Sequence, residues 1–126
     1  MLDIKEWLKE AMYNADVAWI QNKFSYSESE MEKQLNYLNK NSYTDSDLYY
    51  FLQDSTTVYE SNPRHSRHWD EIDVVVKVED KYVHFTKATT TTDYSARECG
   101  WEFDWDDCYF VEPVEVITIR YNRIKK

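Results

Sequence analysis

Apolar residues recur along the first part of the chain at the spacing of a helix. Ile4, Leu8, Ala11, Ala15 and Ala18 fall at three- and four-residue steps, which places them on one helical face, with Trp7 and Trp19 flanking the stripe. Asp3 precedes Glu6 at the spacing of a capping box, with Asp in place of the usual Ser or Thr. Ser27 and Glu30 repeat that signal ahead of Met31, Leu35 and Leu38, and Asn39-Lys40-Asn41-Ser42 interrupts it. Thr44 and Asp47 open a third short helix with Leu48, Phe51 and Leu52 on its apolar face. Helices this short need a surface to pack against. The pattern predicts a helical part over 1–60 and a connection over 61–71.

The period then changes from helical to alternating. Ile72, Val74, Val76 and Val78 alternate with Asp73, Val75, Lys77 and Glu79, the signature of a half-buried strand. Asp80-Lys81 is the expected two-residue turn, although it lacks the glycine that such turns favour. That register sets Glu79 against Tyr82, Val78 against Val83, Val76 against Phe85 and Lys77 against His84. A slip of one residue would bring Tyr82 and His84 inside. Lys87 to Thr92 continues as β-prone polar chain, and Asp93 to Gly100 reads as a loop. Trp101, Phe103 and Trp105 alternate with Glu102 and Asp104, Asp106-Asp107 can turn the chain into Cys108–Val111, and Pro113 marks a strand edge or bulge. Val114 to Tyr121 reads as a central strand. The expectation is a single α+β domain over 1–126, with three N-terminal helices packed on one face of a four- to five-stranded antiparallel sheet and the β part over 71–124.

Length and charge narrow what such a domain can do. A chain of 126 residues buries roughly two-thirds of its unfolded surface and needs no metal or disulfide to fold. The formal charge is −9, divided as −6 over 1–60 and −3 over 61–126. That balance repels nucleic acid and disfavours an anionic membrane surface, so neither is an expected direct partner, whereas a basic protein is. Nothing in the sequence sets the oligomeric state. A single glycine leaves no phosphate-cradling loop and no dinucleotide fingerprint. No apolar run approaches the ~20 residues of a membrane span, and no apolar stretch of a signal peptide follows Met1-Leu2-Asp3-Ile4-Lys5. The expected location is the cytoplasm, where Cys99 and Cys108 are free thiols.

The most unusual segment runs from Glu98 to Glu115. It holds seven carboxylates, Glu98, Glu102, Asp104, Asp106, Asp107, Glu112 and Glu115, and no Lys or Arg. Carboxylates at alternate positions of a strand lie on one face about 7 Å apart. Such a ladder repeats negative charge as a nucleic-acid backbone does and suits a basic groove, with Tyr109 or Trp101 as the buried anchor. The plainer use of Glu102 and Asp104 is the solvated face of an amphipathic strand. Glu102, Asp104, Asp106 and Asp107 also offer oxygens to a hard cation, but without the glycine and closing Glu of a calcium loop. His65 and His68 stand three apart, and Asp70, Cys99 or Cys108 would have to complete a zinc site. His84 reads as a surface residue, and neither cysteine lies in a nucleophile signature. The expectation is a protein without cofactor or catalytic residues.

Trp101-Glu102-Phe103-Asp104-Trp105, followed by Tyr109-Phe110-Val111-Glu112-Pro113-Val114-Glu115-Val116, resembles the C-terminal ends of small accessory proteins of bacteriophages and prophages of Gram-positive bacteria. Some small acidic proteins of that group inhibit host defence, including anti-CRISPR proteins that block the DNA-binding groove of Cas9. The resemblance implies a phage-encoded inhibitor that acts by occlusion on a basic host protein, a nucleic-acid enzyme, in the host cytoplasm. A phage structural or assembly protein acting by self-association, and a small metal-dependent enzyme using His65, His68 and a cysteine, are the alternatives.

Overall fold

A computed structural model of the chain describes residues 3–23, 25–66, 68–90, 96, 100–116 and 119–124. Three helices come first, α1 (Ile4–Gln21), α2 (Glu28–Tyr37) and α3 (Asp45–Asp54). Each begins at the cap its sequence signals. The Asp3 carboxylate accepts from the Glu6 N–H and the Ser27 hydroxyl accepts from the Glu30 N–H. Thr44 and Asp47 exchange both bonds of a full capping box. These side chains satisfy N–H donors of the first turn that have no partner within the helix.

Five strands follow in one antiparallel sheet: β1 (Thr56–Glu60), β2 (Arg64–His65), β3 (Asp70–Val78), β4 (Lys81–Thr89) and β5 (Tyr109–Val111). The spatial order is β1-β3-β4-β5, with the short β2 also paired to β3. Leu8 and Ala11 of α1 and Leu48 and Leu52 of α3 meet Val74, Val76 and Val78 of β3 and Val83 and Phe85 of β4 in one core. The α1 stripe leaves that core early, since Ala15 and Ala18 are exposed. No residue of α2 is fully buried.

Three sequence expectations are corrected. The helical part ends at α3, because Thr56–Glu60 is an edge strand; all five of its residues are exposed, so no inward–outward alternation betrays it. The hairpin register pairs Val78 with Lys81, Lys77 with Tyr82, Val76 with Val83 and Val75 with His84. It differs from expectation by two residues, which keeps every side chain on its expected face, and Glu79-Asp80 forms the turn. The third correction concerns Val114 to Tyr121. Among its described residues none is in a strand, and Val114, Val116, Ile119 and Tyr121 are exposed. Val111 lies opposite Tyr82, one residue from the start of β4, so β5 ends where β4 begins, and the described residues beyond Glu112 pair with no strand.

The turn has a measurable consequence. Glu79 has φ +54°, the left-handed region that costs a side-chain-bearing residue about 1–2 kcal/mol. Its only described tie is a 3.2 Å exposed bond from the Asn14 amide. Glu79→Gly is expected to raise stability by about 0.5–1 kcal/mol, strain relief outweighing glycine's entropy cost. Thermal denaturation of the two proteins checks it, and a lower midpoint in the variant would contradict the strain argument.

Candidate functional site

The acidic segment is held by its aromatic residues rather than by strand pairing. Trp101 is buried, with its backbone N–H donating to the Ala96 carbonyl at 3.0 Å. Gly100 before it has φ +103°, a conformation that glycine adopts without strain. Trp101 and Phe103 lie against Tyr49 of α3 at ring-centroid distances of 6.1 and 4.6 Å, and Trp105 meets Phe103 edge-on at 4.8 Å. The alternation is therefore real, but it comes from docking on a helix, and 101–105 is not a strand. Asp104 then accepts from the Asp106 N–H at 2.9 Å and caps a 3-10 turn over Trp105–Asp107, which leads into β5.

This geometry removes the regular carboxylate ladder. Glu102, Asp104, Asp106 and Asp107 are exposed on irregular chain and on the turn, and Glu112 and Glu115 follow β5 outside any strand. Glu98 lies outside the described residues. Trp101 belongs to the protein's own core and is withdrawn as an anchor. What remains is an imbalance of charge. Elsewhere some carboxylates have cationic partners, Asp45 with Lys5, Glu10 with Lys40, Glu60 with Lys87 and Asp73 with Arg64, while others, such as Asp16, Glu28, Glu32 and Asp54, have no ion pair among the described residues. Among the described residues, no ion pair involves Glu102, Asp104, Asp106, Glu112 or Glu115.

Beside this segment the outward face of the sheet carries a network that the sequence did not reveal. Asp73 accepts from both terminal guanidinium nitrogens of Arg64, from Thr86 Oγ1 at 3.3 Å and from His84 Nε2 at 3.2 Å. The other ring nitrogen of His84 faces the Asp107 carbonyl at 3.0 Å, and Tyr109, itself about half exposed, stacks on the ring at 4.4 Å. Both nitrogens of His84 thus face oxygen acceptors, and the ring acts as a clamp between β3 and the chain entering β5. It fixes Tyr109 beside Asp107. Only the alternation of β4, which sets His84 outward, hinted at this in the sequence.

The Arg64 guanidinium, aided by His84, holds the Asp73 carboxyl below the usual carboxylate range. The sign follows from linkage. A carboxyl with a depressed folded value adds stability above its unfolded value of about 4, and loses it as pH falls through the folded value. Asp73→Asn is expected to cost about 1–3 kcal/mol at neutral pH and to flatten the decline in acid. Urea midpoints measured across acid and neutral pH test this, and an unchanged acid slope would contradict it.

Of the residues named for a metal or thiol site, Cys99 lies outside the described residues. His65 Nδ1 lies 2.6 Å from Asp70 Oδ1, His68 lies near the Trp69 ring, and among the described residues no three His, Cys, Asp or Glu converge as a metal site. Cys108 is buried in the core, and burial pushes its thiol up to about 12, so it packs as a small apolar residue. Among the described residues no helix is long and apolar enough to cross a membrane.

No family model matches the chain, and no curated protein or solved structure matches it. The functional reading rests on the residues themselves.

Proposed function

We propose that this chain is a non-catalytic, acidic binding protein, phage-encoded, which docks on a basic host protein and inhibits it. The partner in this reading is a nucleic-acid enzyme of the Cas9 kind whose basic groove the acidic segment occupies. The observation that carries it is the set Glu102, Asp104, Asp106, Glu112 and Glu115, without an ion pair among the described residues, in a stretch from Glu98 to Glu115 that holds no Lys or Arg. Charges left without an intramolecular partner steer association with an oppositely charged surface and fix its register. Tyr109, positioned by His84 and exposed beside Asp107, supplies an aromatic contact of the type that anchors interfaces.

The test is a tagged pull-down from a Gram-positive bacterial lysate at low and moderate salt, read by mass spectrometry. One basic nucleic-acid enzyme, retained at low salt and released at moderate salt, is the expected result. Retention of a partner that salt does not disturb would count against an electrostatic interface.

A second reading, assembly by self-association, draws on a different observation. Edge strand β1 exposes Val58 and Tyr59, and Val114, Val116, Ile119, Tyr121 and Ile124 are exposed beyond β5. Open edges and exposed β-prone segments favour pairing between copies. Light scattering on gel-filtered protein separates the readings, since a stable dimer insensitive to salt supports assembly.

A further inference from the structure

A cleft of about 510 Å³ opens between the start of α3 and the 100–105 segment. Its walls include Tyr49, Tyr50, Trp101, Phe103 and Trp105, and its rim carries the carboxylates of Asp45 and Glu102. We infer that this cleft is a cation site, which takes the guanidinium of an arginine side chain presented by the basic protein partner. The carrier of the arginine rests on the proposed function; the chemistry of the cleft does not.

Two properties of the walls select a cation. The faces of indole and phenol rings are electronegative and attract a positive group lying within about 6 Å of the centroid. The rim adds the charge of Glu102, which is exposed with no ion pair among the described residues, while Asp45 is paired with Lys5. A phosphate would meet the Glu102 carboxylate, and Lys5 is already engaged by Asp45, so it would be repelled. A purely apolar ligand would desolvate that carboxylate without compensation.

The protein already seats one ammonium at this rim. Lys5 Nζ lies 5.1 Å from the centroid of the Trp105 ring and 3.1 Å from Asp45 Oδ2. The same pairing of ring and carboxylate is thus used within the chain, while Tyr50, more than half exposed, and Glu102 line the same cleft with no internal cation against them among the described residues. Arginine suits the second seat better than lysine, because its planar guanidinium stacks on a ring while forking to a carboxylate.

The test is an NMR titration of the full chain with N-acetyl-arginine amide at low salt, following the indole N–H signals of Trp101 and Trp105. Saturable shifts at both indoles are expected. Tyr50→Ala and Glu102→Gln, at exposed positions, should each weaken the ligand by about fivefold. Lys5→Ala is the discriminating variant: it frees the Trp105 face and Asp45, so it should tighten binding severalfold, which loss of a merely structural residue would not do. No saturable shift, or weaker binding in Lys5→Ala, would overturn the cation site. Choline binding without arginine binding would overturn the choice of an arginine side chain. Wild-type affinity of Tyr50→Ala for a captured partner would overturn the anchoring role while leaving acidic docking intact. Arginine binding without any captured partner would remove the carrier and leave the site.

Discussion

Phe85→Ala is expected to destabilise the protein by about 3–5 kcal/mol, the range for truncating a buried aromatic. Phe85 is 1 % exposed and sits where the two layers and the acidic segment meet. It lies on β4 opposite Val74, edge-on to Tyr49 of α3 at 6.4 Å and against Phe103 at 6.2 Å. Alanine would leave a cavity under the ring stack that carries Glu102 and Asp104, so it would loosen the site together with the core. Domains of this size are stable by only about 5–15 kcal/mol in all. Phe85→Leu keeps most of the volume and should cost less than about 1.5 kcal/mol. Urea denaturation read by tryptophan fluorescence measures both, and a loss below about 1 kcal/mol for the alanine variant would show that the stack does not depend on this residue.

The second large effect concerns binding. Glu102→Lys combined with Asp106→Lys replaces two negative charges with two positive ones on exposed positions that hold no element of the fold by side-chain bonds. Asp104 is spared, because its carboxylate caps the turn over Trp105–Asp107 and its loss would cost about 1 kcal/mol. Against a basic partner the double variant should lose about 100-fold in affinity at low salt, largely through slower association. The difference should shrink as salt rises and the screening length falls from about 10 Å at 0.1 M to about 3 Å at 1 M. Stability should stay within about 0.5 kcal/mol of wild type, as for other surface changes. Surface plasmon resonance and a denaturation curve report the two quantities. Equal affinity in the variant would remove the acidic segment from the interface.

What was legible in the sequence was local. The caps at Asp3, Ser27 and Thr44 involve residues three apart, and the inward face of β3 and β4 follows from alternation alone. Pairing is not local. No glycine marks the β3–β4 turn, so the register was free to shift by two without disturbing either face, and Glu79 took the strained position. Trp101 and Phe103 stack against α3, a contact over fifty residues away in sequence, and Trp105 packs on Phe103, so the alternation imitates a strand. Val114 to Tyr121 has strand-like composition, yet β5 has already reached the first residues of β4, at the limit of their pairing, before that segment begins. The charge of the site was legible and its geometry was not. The seven carboxylates can be counted, but the clamp of Arg64, Asp73, His84 and Tyr109 joins four strands of the sheet and exists only once they pair.

The central claim is that the acidic segment takes the place of nucleic acid on a basic protein. Fluorescence anisotropy of labelled DNA bound to the captured enzyme, titrated with this chain, tests it most directly. The account predicts that the wild-type chain displaces the DNA near stoichiometric ratio and that the Glu102→Lys, Asp106→Lys variant does not. A ternary complex, with the DNA still bound while the chain saturates the enzyme, would contradict it.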